Sequence, residues 1–197
     1  LIDIAKNSGA DAVKFQSFTA DEIAVDNLKY NKIKNKFKKF SKNLYDFYKR
    51  YELPPEFNLK LYKYCQKKKI HFMTSIFGND SLKISKNLSP VIKIASFEAN
   101  YFELLDELIK IDKHIIISTG CSSEKDILNL KNFFIKKSFN NFSILHCGSS
   151  YPLKLEQVDL NYISRLKKIF PNNNVGYSDH TENISTTLAA VAIGAKI

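Results

Sequence analysis

The chain has 197 residues, of which 44% are hydrophobic, and a formal net charge of +10. This size favours one domain with a substantial core, and no stretch approaches the roughly 18 apolar residues of a membrane span. The charge does not indicate nucleic-acid binding, because Arg50 and Arg165 are the only arginines and base and phosphate recognition favours arginine's planar, bidentate geometry.

Six short apolar runs have the length of buried strands, and each ends in reactive polar residues. In chain order they are AVKFQS (12–17), KIHFMTS (69–75), VIKIASFE (91–98), HIIISTG (114–120), FSILHCGSSYP (142–152) and NVGYSDHT (174–181). The carboxyl ends of the strands of a parallel barrel meet at one end, where active sites are built. The pattern therefore predicts an enzyme.

Helix-like segments separate these runs. Helical spacing of apolar residues and helix-start signals predict helices over 1–8, 55–68, 81–88, 101–111, 124–137, 160–170 and 184–193. Gly194 is expected to end the last helix, and residues 195–197 to begin another strand.

One connection, 18–54, is longer than the rest and is rich in Lys, Phe and Tyr. It is interpreted as a helical excursion on the surface and not as a second domain. Its apolar residues recur at helical spacing: Leu28, Ile33, Phe37, Phe40, Leu44, Phe47 and Tyr48. Packing on the rest of the domain is favoured over a membrane-surface or partner helix.

Strand–helix alternation predicts an α/β fold with parallel strands. An open doubly wound sheet and a (β/α)8 TIM barrel compete, and no GxGxxG or P-loop follows any strand. Polar residues after nearly every strand favour the barrel, since an open sheet concentrates them at one switch point. With six strands and the start of a seventh, we expect an incomplete TIM barrel over 1–197. Its first strand would precede Leu1, and most of its last strand would follow Ile197.

Two lysines lie inside otherwise apolar strands. Lys14 interrupts AVKFQ and Lys93 interrupts VIKIAS. Because helices exclude solvent from such a sheet, we expect both ammonium groups to face a polar cavity. A phosphate or carboxylate is their natural partner. Hydroxyls follow the strands at Thr74, Ser75, Ser96, Ser118, Thr119, Ser149, Ser150 and Ser178.

Acid–base and metal candidates follow the later strands. Glu98 lies two residues beyond Ser96, and Tyr151 precedes Pro152. Asp179 and His180 place a carboxylate beside an imidazole, whereas His146 either faces the site or supports it.

The three cysteines, Cys65, Cys121 and Cys147, are odd in number and widely spaced. They form neither a disulfide framework nor a zinc motif, which fits a reducing, cytoplasmic setting. Cys147 is expected to act as a small buried apolar residue.

Five motifs in this order, AVKFQ, KIASFE, STG, LHCGSSYP and VGYSDHT, resemble the sialic acid synthase family, N-acetylneuraminate synthase and its nonulosonate relatives. The resemblance covers essentially the whole chain. It implies a (β/α)8 barrel that condenses phosphoenolpyruvate with an N-acetylated hexosamine such as N-acetylmannosamine, with Mn²⁺ or Mg²⁺, and releases phosphate. It further implies a cytoplasmic, full-length homodimer that binds neither nucleic acid nor membrane.

The resemblance also implies residue roles. Phosphoenolpyruvate would be bound by Lys14, Gln16, Thr74, Lys93, Ser96, Ser118 and Ser178. Glu98, Lys93 and Tyr151 would be catalytic, with Glu98 at the reacting end of the sugar. His180 matches one of two metal-binding histidines, and the other is expected beyond Ile197.

Some residues depart from the family pattern and leave the acceptor sugar open. KIASFE places Phe97 where many members have Gly, a variant associated with pseudaminic-type members. The alternatives are therefore a pseudaminic or legionaminic acid synthase that uses a 2,4-diacetamido sugar, an inactive barrel paralogue, or a related barrel aldolase or sugar-acid phosphate synthase.

Overall fold

The computed structural model describes residues 1–26, 41 and 43–197. They form six strands: β1 (Ala12–Gln16), β2 (His71–Ile76), β3 (Val91–Ile94), β4 (His114–Ser118), β5 (Phe142–Cys147) and β6 (Asn174–Ser178). The α/β class is confirmed, and each predicted strand is present. Two compact units, Leu1–Ile92 and Lys93–Ile197, divide the chain.

The helices of the described residues are α1 (Ile2–Asn7), α2 (Ala20–Ile23), α3 (Leu44–Tyr51), α4 (Pro55–Lys68), α5 (Asn79–Ser85), α6 (Phe102–Lys110), α7 (Glu124–Lys136), α8 (Asn161–Ile169) and α9 (Ile184–Ala192). Short 3-10 turns lie at Ser96–Glu98 and Leu155–Gln157. Of the predicted excursion, α2 and α3 are described, whereas Leu28, Ile33, Phe37 and Phe40 lie outside the described residues. No helix in the described ranges combines the length and apolar character needed to span a bilayer.

The first unit places β1 parallel to β2, with Lys14 opposite Met73 and Gln16 opposite Ser75. Side chains alternate along a strand. Val13 and Phe15 accordingly pack against an apolar cluster of Ile2, Cys65, Ile70 and Phe72, which includes residues of α1 and α4. Lys14 and Gln16 lie on the other face of β1 and are exposed.

The second unit pairs β4 with β5 and β5 with β6, all parallel. Its core contains Phe134 of α7, which stacks on Phe142 of β5 with ring centroids 4.1 Å apart. Gly194 follows α9 with φ +96°, a conformation that glycine adopts without strain. Residues 195–197, predicted to begin a strand, are not part of a strand in the structure. They run beside β6, because Lys196 donates to the Val175 carbonyl at 2.9 Å and Tyr177 donates to the Ile197 carbonyl at 2.8 Å.

Candidate active site

One face of the second unit gathers the predicted polar residues at the carboxyl ends of its strands. Ser118 is opposite Leu145 on β5, and Cys147 is opposite Ser178 on β6. Registered neighbours and residues two apart share a face of a parallel sheet. Ser118, Cys147 and Ser178 therefore define a common surface, called the site face below.

Lys93 is buried on this face, with 7% of its surface exposed. Its Nζ donates to Ser118 Oγ at 2.5 Å and to the carbonyl oxygen of Ile94 at 2.8 Å. Burying a lysine is costly unless its ammonium is hydrogen-bonded, and these two oxygens meet part of that requirement. The expectation that this ammonium faces a polar cavity stays a prediction, and its described partners are protein oxygens.

Ser96, Gly120 and Cys147 form a second group of contacts. Ser96 Oγ accepts from the backbone N–H of Gly120 at 3.1 Å and lies 3.1 Å from Cys147 Sγ. A Cβ on Gly120 would lie 2.5 Å from Ser149 Oγ and 2.7 Å from Cys147 Sγ. Glycine is thus required at 120 because protein atoms approach its backbone. Cys147 is buried as predicted, and its thiol also contacts the serine predicted to bind substrate.

Glu98 ends the turn after β3, and its Oε2 is buried with no hydrogen-bond partner among the described residues. Burial raises the pKa of this carboxyl, although a backbone hydrogen bond and the charge of Lys93 act in the opposite direction. A carboxyl held this way takes up a proton more readily than an exposed glutamate, which is the property expected of a general acid. Phe97, beside it, is 77% exposed.

His180 follows β6 and lies close to Ser178 and Tyr151. Its Nδ1 is 2.6 Å from the carbonyl oxygen of Gly148, its Nε2 is 3.4 Å from Ser178 Oγ, and its ring centroid is 4.4 Å from that of Tyr151. Since a carbonyl oxygen only accepts, Nδ1 carries the proton in the neutral ring and Nε2 keeps its lone pair. The protein thus fixes one ring nitrogen of His180 and leaves the lone pair of the other on Nε2.

Asp179 turns away from its neighbour His180 and contacts α9. Its carboxylate accepts from the Thr181 N–H at 2.8 Å and from the hydroxyls of Thr186 and Thr187 at 2.8 and 2.7 Å. Burial opposes ionisation of this carboxyl, but these hydrogen bonds prevail and lower its pKa to about 2. The adjacent Tyr177 has a pKa raised to about 12, through burial and the charge of Asp179.

His146 lies on the opposite face of β5 from Cys147. It is opposite Tyr177 in the strand register, and its ring is 5.3 Å from that of Tyr162 on α8. Burial lowers the pKa of its imidazole, with Asp159 acting in the opposite direction. Of the two roles left open by the sequence, the structure favours the supporting one.

In the first unit, Lys14 Nζ donates to Ser75 Oγ at 3.3 Å. Burial of the amine lowers the pKa of Lys14 even though the residue as a whole is exposed. Thr74 is fully buried, and its hydroxyl lies 2.8 Å from that of Ser17, which donates to Asn58 Oδ1 of α4 at 2.8 Å. The role of Thr74 in substrate binding stays a prediction, and its observed contacts are with the protein.

The described residues offer a divalent metal only part of a ligand set. His180 fits as one ligand, since its Nε2 lone pair is available. Within the described ranges, no group of three or more His, Cys, Asp and Glu residues is placed to hold a metal ion. The described residues therefore supply part of such a site.

Several contacts were not anticipated from the sequence, although motif spacing identified Lys93, Ser118, Ser96 and Glu98. Asp179 was singled out only as a carboxylate beside a histidine, and its partners on α9 were missed. The available sequence signal for the position of α9 was Asn183, which caps the start of the helix by accepting from the Ser185 N–H with its side chain.

The comparisons with known proteins agree on one family. The NeuB family model matches residues 1–197. The chain is 32% identical over its whole length to the spore coat polysaccharide biosynthesis protein SpsE of Bacillus subtilis and covers 52% of that protein. It is also 32% identical over its whole length to pseudaminic acid synthase of Campylobacter jejuni and covers 57% of it.

A solved structure also matches. The N-acetylneuraminic acid (sialic acid) synthetase from Leptospira borgpetersenii, crystallised with citrate, superposes with a TM-score of 0.86 at 31% identity, covering all of this chain and 64% of that one. The chain spans about half the length of the curated relatives it matches. The family match extends over every residue, and the chain belongs to the NeuB family of sialic acid synthase-like proteins.

Proposed function

We propose that the full-length protein condenses phosphoenolpyruvate with an N-acetylated amino sugar to form a nonulosonic acid, with release of phosphate. Family membership and the names of its relatives support this proposal. The observation that carries it is the buried Lys93, which is hydrogen-bonded to Ser118 on the site face and whose charge acts on the Glu98 carboxyl.

The anion end of the substrate is assigned to Lys93. A phosphate or carboxylate beside this ammonium would gain short, charge-assisted hydrogen bonds in surroundings of low dielectric constant. Ser118, Ser96 and Ser178 would add hydroxyl donors. Lys14, Gln16 and Thr74 are assigned to the same substrate by the family resemblance, with Lys14 and Gln16 on the face of β1 that lies away from the apolar cluster.

The reaction itself is assigned as follows. The enol carbon of phosphoenolpyruvate attacks the aldehyde carbon of the open-chain sugar and forms the new C–C bond. Water adds to the resulting cationic carbon, and phosphate then leaves. Lys93 stabilises the negative charge on the departing phosphate, while the Glu98 carboxyl and Tyr151 hydroxyl exchange protons at the reacting oxygens.

His180 is assigned as one ligand of a Mn²⁺ or Mg²⁺ ion. Such an ion, when bound, withdraws electron density from the aldehyde oxygen. The hydrogen bond between Nδ1 and the Gly148 carbonyl supports this assignment, because it leaves Nε2 available as a ligand.

The complete fold is proposed to be a (β/α)8 barrel in a cytoplasmic homodimer. Support for the barrel comes from the parallel strands of each unit and from the likeness to the solved synthetase, whereas the homodimer and its location rest on the family resemblance alone. The acceptor is either N-acetylmannosamine or a 2,4-diacetamido sugar, since relatives are named for pseudaminic and for N-acetylneuraminic acid synthesis.

Product identification tests the proposal. The full-length protein is incubated with phosphoenolpyruvate, Mn²⁺ and each of the two acceptors, and products are resolved by mass spectrometry. A new compound carrying three more carbons than one acceptor, formed together with phosphate, is expected. Phosphoenolpyruvate that stays intact with both acceptors would contradict the proposal.

A further inference from the structure

The loop that carries His180 is fixed to α9 mainly by the side chain of Asp179. Its carboxylate contacts the backbone N–H of Thr181, on the far side of His180, and two threonine hydroxyls in the first turn of the helix, Thr186 and Thr187. Thr186 and Thr181 hydroxyls are also 2.8 Å apart. The residues on both sides of His180 are thereby tied to one rigid element.

The imidazole is held from the other side by separate contacts. Gly148 supplies the carbonyl oxygen to Nδ1, and the His180 carbonyl oxygen accepts from the N–H of Leu153 at 2.8 Å. Neither contact involves α9. The loop is thus held between the segment that follows β5 and the first turn of α9, with Asp179 supplying two of the contacts to the helix and Thr181 a third.

We propose that Asp179 is a positioning residue, which fixes the backbone on both sides of His180 so that Nε2 is presented for metal binding. This inference rests on the proposed function, because it assigns a metal to His180. Asp179 acts through the backbone and the helix, since its own carboxylate oxygens are occupied by the threonine donors. Partners hydrogen-bonded directly to a ligand change metal affinity by about 10- to 100-fold when they are removed. Asp179 acts one contact further away, so its effect is expected at the lower end of that range.

Mn²⁺ affinity of the full-length protein, measured without substrates from the electron paramagnetic resonance of free Mn²⁺, tests this inference. Asp179→Ala is expected to weaken binding about tenfold or more, as is His180→Ala. Asp179→Asn keeps one acceptor oxygen for the Thr181 N–H and should weaken binding less. Thr187→Val, at an exposed position, removes one donor and should have a small effect in the same direction.

A control separates positioning from loss of stability. Leu130 of α7 is 1% exposed, and Leu130→Ala is expected to lower the stability of the protein because it leaves a cavity in the core. This variant should bind Mn²⁺ as tightly as wild type at temperatures where it is folded. Equal weakening in Leu130→Ala and Asp179→Ala would overturn the positioning role.

A wrong positioning role for Asp179 and a wrong metal assignment for His180 give different results. If His180→Ala weakens Mn²⁺ binding while folded Asp179→Ala and Asp179→Asn bind within twofold of wild type, the positioning role is wrong and the metal assignment stands. If His180→Ala leaves Mn²⁺ affinity unchanged, the metal assignment is wrong and the role of Asp179 falls with it.

Discussion

Lys93 Nζ and Ser118 Oγ lie 2.5 Å apart, although 25 residues separate them along the chain. Both side chains are buried. A lysine in this position loses its hydration and is stabilised by fixed oxygen atoms, so an arriving anion does not have to reorganise solvent around it. This relationship makes Lys93 the first residue to test.

Lys93→Met should lower kcat/KM for phosphoenolpyruvate by about 10²- to 10³-fold, the range seen when one stabilising donor is removed. Methionine keeps much of the side-chain volume and removes the cost of burying a charge, but it leaves the Ser118 hydroxyl and the Ile94 carbonyl without this donor. Because these two effects oppose each other, the midpoint of denaturant unfolding should change little. Steady-state phosphate release and urea unfolding measure the two effects.

The matched control for this variant is Lys83→Met. Lys83 is exposed and pairs with Asp80 at 2.8 Å, and exposed pairs contribute roughly 0–1 kcal/mol. Kinetics should be unchanged in this variant. Wild-type kinetics in folded Lys93→Met would contradict the anion site.

Glu98→Gln should stabilise the protein at neutral pH. Folding raises the pKa of this carboxyl through burial, so the folded state binds the proton more tightly than the unfolded state. Wild-type stability therefore falls as pH rises from about 4.3, the value for an unperturbed glutamate. The advantage of the glutamine should be full above the folded pKa and should shrink toward zero below pH 4.

Urea unfolding of both proteins across this pH range checks the effect. A wild type that is more stable than Glu98→Gln at pH 7 would show that the carboxylate is stabilised in the folded state. Activity should fall in the variant, because glutamine cannot exchange a proton.

Gly120→Ala should damage the site without removing a charged group. The added Cβ would lie 2.5 Å from Ser149 Oγ and 2.9 Å from the Cys147 carbonyl oxygen, distances that force atoms to move. Overpacking of this kind costs about 1–3 kcal/mol. The same shift displaces the Gly120 N–H, which donates to Ser96 Oγ. KM for phosphoenolpyruvate should therefore rise. Ser122→Ala, two residues further on, is the control and should change neither quantity.

Thr74→Val tests whether the Thr74 hydroxyl stabilises the protein or contacts the substrate directly. The buried hydroxyl contacts Ser17 at 2.8 Å, and losing a buried hydrogen-bond partner costs about 1–3 kcal/mol. We expect lower stability, measured by urea unfolding, and a modest effect on KM. A large rise in KM for phosphoenolpyruvate with unchanged stability would instead indicate direct contact with substrate.

The strands and most helices were predictable because their signals are local. The helix predicted over 55–68 matches α4, which begins at Pro55, and Ser123 caps α7 by accepting from the Asp126 N–H. Lys93 was predictable for a related reason, because a charged side chain within a buried strand needs polar partners to offset the cost of its burial.

Contacts between distant segments were not predictable. Glu22 of α2 accepts from the N–H groups of Asp80 and Ser81 at 2.9 Å, across nearly 60 residues, and nothing in the local pattern indicates this. His146 lies at the end of a predicted strand, but only the register with Tyr177 shows which face of β5 it occupies. A single-residue difference in position reverses the face of a strand residue.

The most direct test of the central claim is phosphate release by the full-length protein with each component omitted in turn. Release should require phosphoenolpyruvate, an N-acetylated amino sugar and a divalent metal together, and it should be nearly lost in Lys93→Met. Phosphate release that continues without the sugar, or that persists at the wild-type rate in Lys93→Met, would contradict the assignment of this chain to a phosphoenolpyruvate-dependent synthase acting through Lys93.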